Sequence, residues 1–404
     1  MDITKSTLPK LRFPEFIEHW EHSKLSKIGE IVSGGTPDTS NKNYWDGDIE
    51  WFIPTEIKAK YVCNSKTKLT REGLKKSSAK ILPIGTLLFC SRATIGDVAI
   101  NTKECSTNQG FQSVIVNNEN SNEFIYYWIL NNTKAFLIRA NGSTFLEIGK
   151  SEMKKIPILI PPKEEQHKIA SFLTSVDDKI QQLTKKKELL EKYKKGVMQK
   201  LFSQEIRFKD DGNNYSDWEK KKLKDVCEKI SDGIHSTPIY CEGGDYYFIN
   251  GNNLINGKIV INESTKRVSQ SEFEKYFTNL HSKTILLSIN GTIGNLATYG
   301  NEKVILGKSA CYINLNKHAN KMFYYFYMQT NLVQRFFRSE LTGSTIKNLS
   351  LNTIKNTEFN IPVAEEQQKI ADFLSSIDYK IFLVNKQFDK IKEFNKGLFQ
   401  QMFV

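Results

Sequence analysis

The sequence has few of the residues from which a disulfide or metal framework is built. Its six cysteines form no Cys-x-x-Cys pair, and its six histidines are scattered. Cys90 has Ser288 as its counterpart in the internal repeat described below, whereas a structural disulfide or zinc site is expected to be copied with the fold that needs it. We therefore expect reduced thiols and no metal site.

Long apolar runs are also missing. None approaches the roughly 20 residues that cross a bilayer, and the mean hydropathy of −0.44 is that of a polar chain. The first residues, Met1 to Lys5, lack the basic start and apolar stretch of a secretory signal. The sequence therefore predicts a cytoplasmic protein without a membrane partner.

Cofactor-binding signatures are missing as well. Gly307-Lys308-Ser309 resembles the end of a phosphate-binding P-loop, but Glu302 stands where that motif requires its first glycine. The chain contains no glycine-rich cofactor fingerprint, no nucleophile elbow and no Asp-Pro-Pro-Tyr or Asn-Pro-Pro-Tyr motif of adenine methyltransferases. We therefore predict that this chain holds no cofactor.

One weak pattern points to catalysis. Asp48, Glu56 and Lys58 resemble the set found in some metal-dependent nucleases, whose acids bind magnesium and whose lysine polarises the reacting water. The second half has Asn252 and Asn253 near the corresponding place. Because the pattern is not repeated, we predict that the chain is not an enzyme by itself, and a nuclease hypothesis would depend on those three residues.

What the sequence does contain is a long internal repeat. Residues 160–173 return as residues 361–374 at a constant shift of 201. Weaker matches at shifts of 198 to 201 are Trp20-Glu21 with Trp218-Glu219, Thr94-Ile95-Gly96 with Thr292-Ile293-Gly294, and Gly142-Ser143-Thr144 with Gly343-Ser344-Thr345. A constant shift indicates a rigid element, and a drifting one indicates loop insertions in a shared fold. Each half is therefore predicted to be a variable domain followed by an invariant helix.

Each constant segment has the pattern of a long helix. From Glu164 to Phe202 there is no proline, and apolar residues recur at multiples of three and four, with interruptions at Lys187 and Lys194. The second copy is cleaner and has its gap at Asn395. Prolines just before each copy and a glutamate pair at its start mark where the helices begin.

Two matching apolar seams are most simply satisfied by each other. An antiparallel pair would place a pseudo-two-fold axis between the two variable domains. The alternative is that each helix packs only on its own domain. About 39 residues at 1.5 Å each make a rod of roughly 58 Å, the length of about 17 base pairs of DNA. This length suits the helices to act as a ruler.

The variable domains have the pattern of mainly β structure. Residues 1–160 alternate short apolar runs with turn clusters, which predicts strands joined by loops and a few helices. The aromatic runs 124–130 and 323–328 match each other and are predicted to be helical. We expect their rings to lie in the core, although base stacking is the alternative.

Charge and loop composition both favour a nucleic-acid partner. The net charge of +12 and pI of about 9.1 suit phosphate backbones, although solubility alone also explains them. Loops rich in Gly, Ser, Thr and Asn recur at equivalent places, often beside a basic residue, and supply groups that contact phosphates and base edges. The candidate DNA-binding residues are Gly35, Thr36, Lys42, Arg92, Thr94, Arg139, Ser143, Thr144, His235, Thr237, Asn290, Thr292, Lys308, Ser344, Thr345 and Lys347.

The pattern Pro, Glu-Glu-Gln, Ile-Ala-x-Phe-Leu at 161–173 and 362–374 follows domains with Thr-x-Pro and Thr-Ile-Gly signatures. In this it resembles the specificity subunit of type I restriction-modification systems over the whole chain. The resemblance implies an α+β fold with two pseudo-symmetric, mainly-β or mixed target-recognition domains, joined by two long helices that form an antiparallel coiled coil. The expected boundaries are 1–160 and 205–361 for the domains, and 161–204 and 362–404 for the helices.

The same resemblance implies a DNA sequence-specificity subunit that reads a bipartite target with a fixed non-specific spacer. Its partners would be double-stranded DNA, two methyltransferase subunits and the restriction subunits that translocate and cleave. S-adenosylmethionine, ATP and Mg are then expected on the partner subunits. The residues implied to bind partners are Glu164, Glu165, Gln166, Phe172, Glu365, Glu366, Gln367 and Phe373. The alternative is a stand-alone sequence-specific DNA-binding or inhibitor protein of the same fold.

Overall fold

The computed structural model describes residues 8–142, 146–343 and 347–404. The chain divides into two compact units. The first runs to Thr184 and takes in Lys386–Val404, and the second is Lys185–Asn385. Both divisions fall inside a long helix, so each unit combines one β-rich domain with about half of each helix. No helix in the described part of the chain is long and apolar enough to cross a membrane.

The first unit is built on a five-stranded sheet and a three-stranded sheet. Its strands are β1 (Glu21–Lys24), β2 (Gly29–Ser33), β3 (Trp45–Phe52), β4 (Tyr61–Val62), β5 (Thr67–Leu69), β6 (Leu87–Phe89), β7 (Val98–Asn101), β8 (Cys105–Thr107), β9 (Gln112–Val116) and β10 (Pro157–Ile160). The five-stranded sheet has the order β2-β9-β6-β7-β4, and the three-stranded sheet has the order β5-β3-β8. β1 pairs with β10, so the start and the end of the domain lie side by side.

The central strand β6 is buried on both faces because each face of the sheet covers a different core. Leu87 and Phe89 pack into the core that includes the long helices. Leu88 and Cys90 alternate with them and pack into a second core on the other face. Burial raises the pKa of the Cys90 thiol to about 12, so it stays protonated and packs as an apolar side chain.

Apart from Arg71–Lys75, which packs on the three-stranded sheet, the helices of the first unit cover one face of the five-stranded sheet. They are α1 (Leu25–Ile28), α2 (Arg71–Lys75), α3 (Asn122–Asn131), α4 (Thr133–Leu137), α5 (Lys150–Lys155) and the first half of α6 (Lys163–Phe202). Ser121 caps α3 through a hydrogen bond from the Phe124 amide, and the rings of Phe124, Tyr127 and Trp128 are buried. The predicted helix and the core role of its aromatic residues are confirmed.

The second unit repeats this arrangement. Its strands are β11 (Lys209–Asp210), β12 (Asn213–Asn214), β13 (Glu219–Lys222), β14 (Cys227–Asp232), β15 (Tyr246–Ile249), β16 (Leu254–Ile255), β17 (Lys258–Ile259), β18 (Arg267–Val268), β19 (Thr284–Ser288), β20 (Leu296–Thr298), β21 (Val304–Leu306), β22 (Ala310–Leu315) and β23 (Glu358–Ile361). Its helices are α7 (Gln270–Lys275), α8 (Lys321–Met328), α9 (Asn331–Ser339), α10 (Leu351–Lys355) and the first half of α11 (Ala364–Met402).

The sheet orders establish the duplication. The order β14-β22-β19-β20 matches β2-β9-β6-β7, and the three-stranded order β18-β15-β21 matches β5-β3-β8. Both three-stranded sheets contain one parallel and one antiparallel pairing. β13 pairs with β23 as β1 pairs with β10. The predicted α+β fold with a repeated, mainly-β domain is confirmed.

The long helices begin and end where the sequence pattern predicts. In each unit, the start of one helix shares a core with the end of the other, which is an antiparallel arrangement. In the first unit the contributing residues are Ile169, Leu173, Val176, Leu398 and Met402, and in the second they are Met198, Leu201, Ile370, Leu374 and Ile377. The predicted antiparallel coiled coil is confirmed, and the helices also pack on the domains.

Different lysines secure the helices in the two units. In the first unit Lys60, from the domain, donates hydrogen bonds to Thr174 of α6 at 2.7 Å and to Tyr127 of α3 at 3.2 Å, and pairs with Glu123. Its counterpart in the second unit is Gly257, since the carbonyl groups of both residues accept a hydrogen bond at equivalent strand positions. No side chain can therefore make this connection from Gly257.

The second unit has a cavity where Gly257 replaces Lys60. The cavity measures about 1530 Å³ and is lined by Gly257, Tyr325, Asp378 and Phe382, among others. Here Lys194 of α6 stands over the Phe326 ring at 5.0 Å and pairs with Asp378 at 2.6 Å. Lys194 thus joins α6 to α11 and to α8. On the cavity side, Gly257 has no side chain that could connect the domain to the helices as Lys60 does.

Candidate nucleic-acid interface

Four loops of the first unit meet at one edge of its sheets. We call residues 34–37, 91–94, 108–110 and 139–147, where described, the first loop cluster. The Gly35 amide donates to the Thr107 carbonyl at 2.9 Å, and the Ser91 amide donates to the Gly110 carbonyl at 2.9 Å. The Ile148 amide donates to the Ser91 carbonyl at 2.9 Å, which brings the fourth loop beside the second. Backbone hydrogen bonds therefore hold the predicted loops together.

The second unit has the same cluster. We call residues 233–238, 289–292, 307–309 and 342–348, where described, the second loop cluster. The Gly233 amide donates to the Ala310 carbonyl at 3.1 Å, the Ile289 amide to the Ser309 carbonyl at 3.0 Å, and the Leu349 amide to the Ile289 carbonyl at 2.9 Å. The loops matched weakly in the sequence thus occupy equivalent structural positions.

The candidate DNA-binding residues differ in exposure. The exposed side chains are those of Lys42, Arg92, Thr94, His235, Thr237, Thr292, Lys308 and Lys347, and the half-buried ones are those of Thr36, Arg139 and Asn290. The remaining candidates Ser143, Thr144, Ser344 and Thr345 lie outside the described residues. The exposed set includes cations on both units, which is the chemistry that phosphate contacts require.

Gly35 is placed differently from the sequence expectation. It is buried, its amide is used by Thr107, and its carbonyl accepts a hydrogen bond from the Trp51 indole at 3.0 Å. A β-carbon at this position would lie 2.3 Å from the Ser78 hydroxyl. Glycine therefore permits the close packing that holds the loop, and a direct DNA contact by Gly35 stays a prediction.

Several candidate side chains are oriented by neighbours. The Thr36 hydroxyl bonds to the Gln109 side chain, and the Thr292 hydroxyl lies 3.0 Å from that of Ser288. His235 lies 2.8 Å from an Asp232 oxygen. Local hydrogen bonds of this kind fix loop side chains before a ligand arrives, which lowers the entropy lost on binding.

The structure adds residues that sequence reasoning missed. Gln109 occupies in the first cluster the place that Lys308 has in the second, since Gly110 and Ser309 make equivalent contacts. The backbone of Glu147 forms β-bridges with Arg92 and with Asn141. The backbone of Asn348 forms β-bridges with Asn290 and with Thr342 in the same way. The signal available in the sequence was the repeat shift itself, which places Gln109 opposite Lys308.

The motifs set aside in the sequence have structural explanations. Gly307-Lys308-Ser309 joins β21 to β22, so a strand follows it where a P-loop requires a helix. Both carboxylate oxygens of Glu56 accept backbone amides, those of Ile53 at 3.0 Å and Lys66 at 2.7 Å. Glu56 therefore stabilises a turn.

The helix starts contain a buried ion pair in each unit. Arg12 donates to both oxygens of Glu165, and Trp20 donates to the same carboxylate at 3.3 Å. The hydrogen bond to Glu165 raises the pKa of Arg12. Arg207 and Trp218 make the same contacts to Glu366 in the second unit.

The neighbouring glutamines are also committed inside the chain. The Gln166 side chain accepts from the Ser121 amide at 2.8 Å and donates to the Pro161 carbonyl at 2.9 Å, and Gln367 donates to the Pro362 carbonyl at 2.9 Å. Glu165, Gln166, Glu366 and Gln367 are thus buried, and their contact with a partner subunit stays a prediction.

The remaining partner candidates have accessible atoms. Glu164 and Glu365 are exposed. Phe172 and Phe373 are half-buried, and each packs edge-to-face on another phenylalanine with ring centroids 5.8 Å apart. These four side chains mark equivalent surfaces at the two helix starts.

The chain is similar to known proteins over nearly its whole length. The family model described as type I restriction modification DNA specificity domain matches residues 17–192 and 215–393. The type I restriction enzyme MjaIX specificity subunit of Methanocaldococcus jannaschii is 28% identical over 409 residues, which cover 95% of this chain and 92% of the relative. Both comparisons include the two domains.

Solved structures share the fold. The S subunit of the type I restriction-modification system from M. genitalium matches with a TM-score of 0.63 at 17% identity, covering 98% of this chain and 99% of that chain. A chain from a structure concerned with assembly and conformational transition of the type I system matches with a TM-score of 0.58 at 15% identity, covering 95% and 97%. With both repeats matched by the family model, the chain belongs to the family of type I restriction modification DNA specificity domains.

Proposed function

We propose that this chain reads DNA sequence for a type I restriction-modification complex. Each loop cluster contacts one half of a split target in double-stranded DNA, and the bases between the halves are not read. The observation that carries the proposal is that the two units share one scaffold but have different side chains at equivalent positions of their loop clusters. The same four loops meet in both units, but Gln109 and Glu147 of the first are replaced by Lys308 and Asn348 of the second. Two different half-sites require such a difference.

The exposed cations and hydroxyls divide the work of binding. Lys42 and Arg92 in the first unit, and Lys308 and Lys347 in the second, contact phosphates and fix the position of the chain on the duplex. Thr94, Thr237 and Thr292 donate to base edges, and Asn290 has the amide geometry that pairs with adenine. Each discriminated base pair is expected to contribute about 1–3 kcal/mol.

The helix starts are proposed as docking surfaces for two methyltransferase subunits. Glu164 and Glu365 supply exposed carboxylates, and the half-buried rings of Phe172 and Phe373 supply apolar contact area. Because these surfaces are equivalent, one partner subunit is expected at each. The buried Arg12–Glu165 pair and its copy hold the surfaces in shape without touching the partner.

Chemistry belongs to the partner subunits in this proposal. Specificity subunits of the family are non-catalytic. S-adenosylmethionine is then bound by the methyltransferase subunits, and ATP and Mg by the restriction subunits, in the cytoplasm where the chromosome is accessible. The pair of long helices sets the number of unread base pairs.

The decisive experiment is co-expression of this chain with its methyltransferase subunit in a methylation-free host, followed by mapping of adenine methylation across the genome. A motif of two short defined blocks around a fixed gap is the expected result. The Asn290→Ala variant serves as a matched test because it removes one proposed base contact, so it should relax one block of the motif and leave the other block unchanged.

Other outcomes separate the alternatives. A stable complex that leaves DNA unmethylated would support the stand-alone DNA-binding or inhibitor function. Failure to form any complex, with a folded chain, would contradict docking at the helix starts. Glu164→Arg with Glu365→Arg should abolish the complex while leaving the unfolding transition of the chain unchanged.

A further inference from the structure

The second unit presents apolar side chains beside its loop cluster. Ile239 is 72% exposed and Phe277 is 63% exposed, so both present apolar surface to the solvent. They lie on the segment that continues from the second loop cluster and on the turn after α7. Both side chains are therefore available to contact a bound molecule.

The backbone around Ile239 and the ring of Phe277 are held by contacts with neighbouring residues. The Ile239 amide donates to the Glu272 carboxylate of α7 at 2.9 Å, and Glu272 is only 7% exposed. The Phe277 ring packs edge-to-face on Phe273 at 6.0 Å, and Phe273 stacks on Tyr246 of β15 at 4.3 Å. The backbone that carries the two exposed side chains is therefore fixed by buried or stacked partners.

A hydrogen bond connects the turn that carries Phe277 to the candidate DNA-binding loop. The Ser236 hydroxyl, next to His235, donates to the Tyr276 hydroxyl at 3.3 Å. Lys275 is 58% exposed in its side chain and immediately precedes this tyrosine. The surface thus includes the loop with the candidate DNA-binding residues His235 and Thr237, the cation of Lys275, and the apolar side chains of Ile239 and Phe277.

The first unit carries different chemistry on the same turn. The C-terminal turns of α2 and α7 are equivalent, since the Lys76 and Tyr276 amides donate to the carbonyls of Glu72 and Glu272. Lys76 and Ser77 in the first unit are thereby replaced by Tyr276 and Phe277 in the second. The scaffold is kept while the half-buried Ser77 is replaced by the exposed Phe277, as expected of a position that differs between two half-sites.

We propose that Ile239 and Phe277 read thymine methyl groups in the half-target contacted by the second unit. The thymine C5-methyl projects into the major groove and is the apolar feature by which a base pair is distinguished there. The proposal rests on the proposed function and names two specificity-determining residues for it. Apolar tips beside exposed cations suit a groove edge that is flanked by phosphates.

The test replaces each thymine of the mapped target with uracil, which removes only the methyl group. Binding of each duplex to the complex of this chain with its methyltransferase subunits is measured by fluorescence anisotropy. At least one substitution in one half-site should weaken binding about fourfold, the value of a buried methylene-sized group. Thymines of the other half-site provide the internal comparison.

Variants then connect the methyl group to the residues. Ile239→Ala or Phe277→Ala should weaken binding to the thymine duplex by a similar factor and should no longer distinguish thymine from uracil at that position. Leu332→Ala is the matched control, because Leu332 is 66% exposed on α9 of the same unit. It should bind both duplexes as the unsubstituted complex does.

Each remaining outcome has one meaning. If the unsubstituted complex binds its target but no thymine responds to uracil, or if the variants weaken both duplexes equally, the thymine proposal is wrong and the proposed function stands. A half-site without any A·T pair has the same meaning. If the complex shows no sequence preference at all, the proposed function fails and this inference fails with it.

Discussion

Arg12 donates two hydrogen bonds to Glu165, at 2.8 and 2.7 Å, from a position 153 residues earlier in the sequence. Arg207 makes the same pair with Glu366, at 3.1 and 2.7 Å. Both carboxylates are fully buried. Each pair fastens the segment that enters a domain to the start of the helix that leaves it, and does so identically in both units.

Removing either carboxylate charge should destabilise the chain strongly. Glu165→Gln or Glu366→Gln leaves a mostly buried guanidinium without its counter-charge, so we expect a loss of about 3 kcal/mol in the free energy of unfolding. Urea titration of the intact chain measures it. The exposed neighbours supply matched controls, since Glu164→Gln and Glu365→Gln should change it by less than about 0.5 kcal/mol. Equal effects at buried and exposed positions would contradict the structural role.

Shortening both long helices together should shorten the unread gap of the target. Asp177 meets Asn395 at 3.5 Å, and 17 residues further along the first helix Lys194 meets Asp378, 17 residues back along the second. Deleting residues 183–189 and 383–389 removes one heptad from each helix between these contacts. Seven residues correspond to about 10 Å, or about three base pairs.

Methylation mapping of the shortened chain with its partner measures this gap. The two half-sites should stay the same while the gap becomes shorter. Deleting 183–189 alone is the control, because it displaces Lys194 from Asp378 and should weaken folding instead. An unchanged gap in the doubly shortened chain would mean that the helices do not set the spacing.

Lys60 should stabilise the first unit locally. Its side chain is only 12% exposed and connects α3, α6 and Glu123. Lys60→Met keeps the apolar stem but removes these polar contacts, at a cost of about 2 kcal/mol. Hydrogen exchange should accelerate in α3 and the first half of α6. The second unit, where Gly257 occupies this position, should exchange unchanged and serves as the internal control.

Glu50 should make stability depend on pH in acid. Burial alone would raise the pKa of Glu50, but hydrogen bonds from Lys68 and Ser65 outweigh it, and the pKa lies below its ordinary value of 4.5. A carboxyl whose pKa falls on folding stabilises the fold above its unfolded pKa and loses that effect as pH falls through the folded pKa. Glu50→Gln should therefore cost about 1–2 kcal/mol at neutral pH.

The measurement compares urea unfolding of the two proteins at neutral pH and near pH 3. The difference between them should shrink at the acid end, because the native carboxylate is then protonated. Glu56→Gln is not a suitable control, since Glu56 also caps backbone amides. Exposed Glu119→Gln is suitable and should show no difference at either pH. A difference that stays constant with pH would exclude the ionic contribution of Glu50.

Lys308 should contribute one phosphate contact. Lys308→Gln places in the second loop cluster the residue that the first cluster has at Gln109. We expect affinity to fall about tenfold at low salt and the slope of log affinity against log salt to decrease by about 0.9. Anisotropy titrations across a salt series measure this. A loss of affinity with an unchanged slope would mean that Lys308 contacts a base and not a phosphate.

The sequence predicted the long helices well because their signals are local. Prolines, paired glutamates and the apolar period place Lys163–Phe202 and Ala364–Met402 closely. The antiparallel pairing followed from two matching seams. The sheet order did not follow, because strand pairing depends on contacts between residues far apart in the chain.

The helix-start glutamates illustrate what local patterns miss. Glu165 and Glu366 have the sequence pattern of exposed acidic residues at a helix start, but Arg12 with Trp20 and Arg207 with Trp218 cover them in the fold. The repeat of Leu11-Arg12-Phe13 as Ile206-Arg207-Phe208 was the available signal, and its drifting shift hid it. Lys60 gave no signal of this kind, since its counterpart is a glycine.

Lys194 also has a consequence for the choice among alternative pairings of the helices. Its ammonium interrupts the apolar seam, and only 15% of the side chain is exposed. If the helices slipped by one heptad, Lys194 would face Ala371 or Asn385 and would lose the Asp378 carboxylate. A polar residue inside a coiled coil lowers stability but penalises such misaligned states more. The polar residue in the seam therefore selects one register of the two helices, and a single register gives the helix pair a single length.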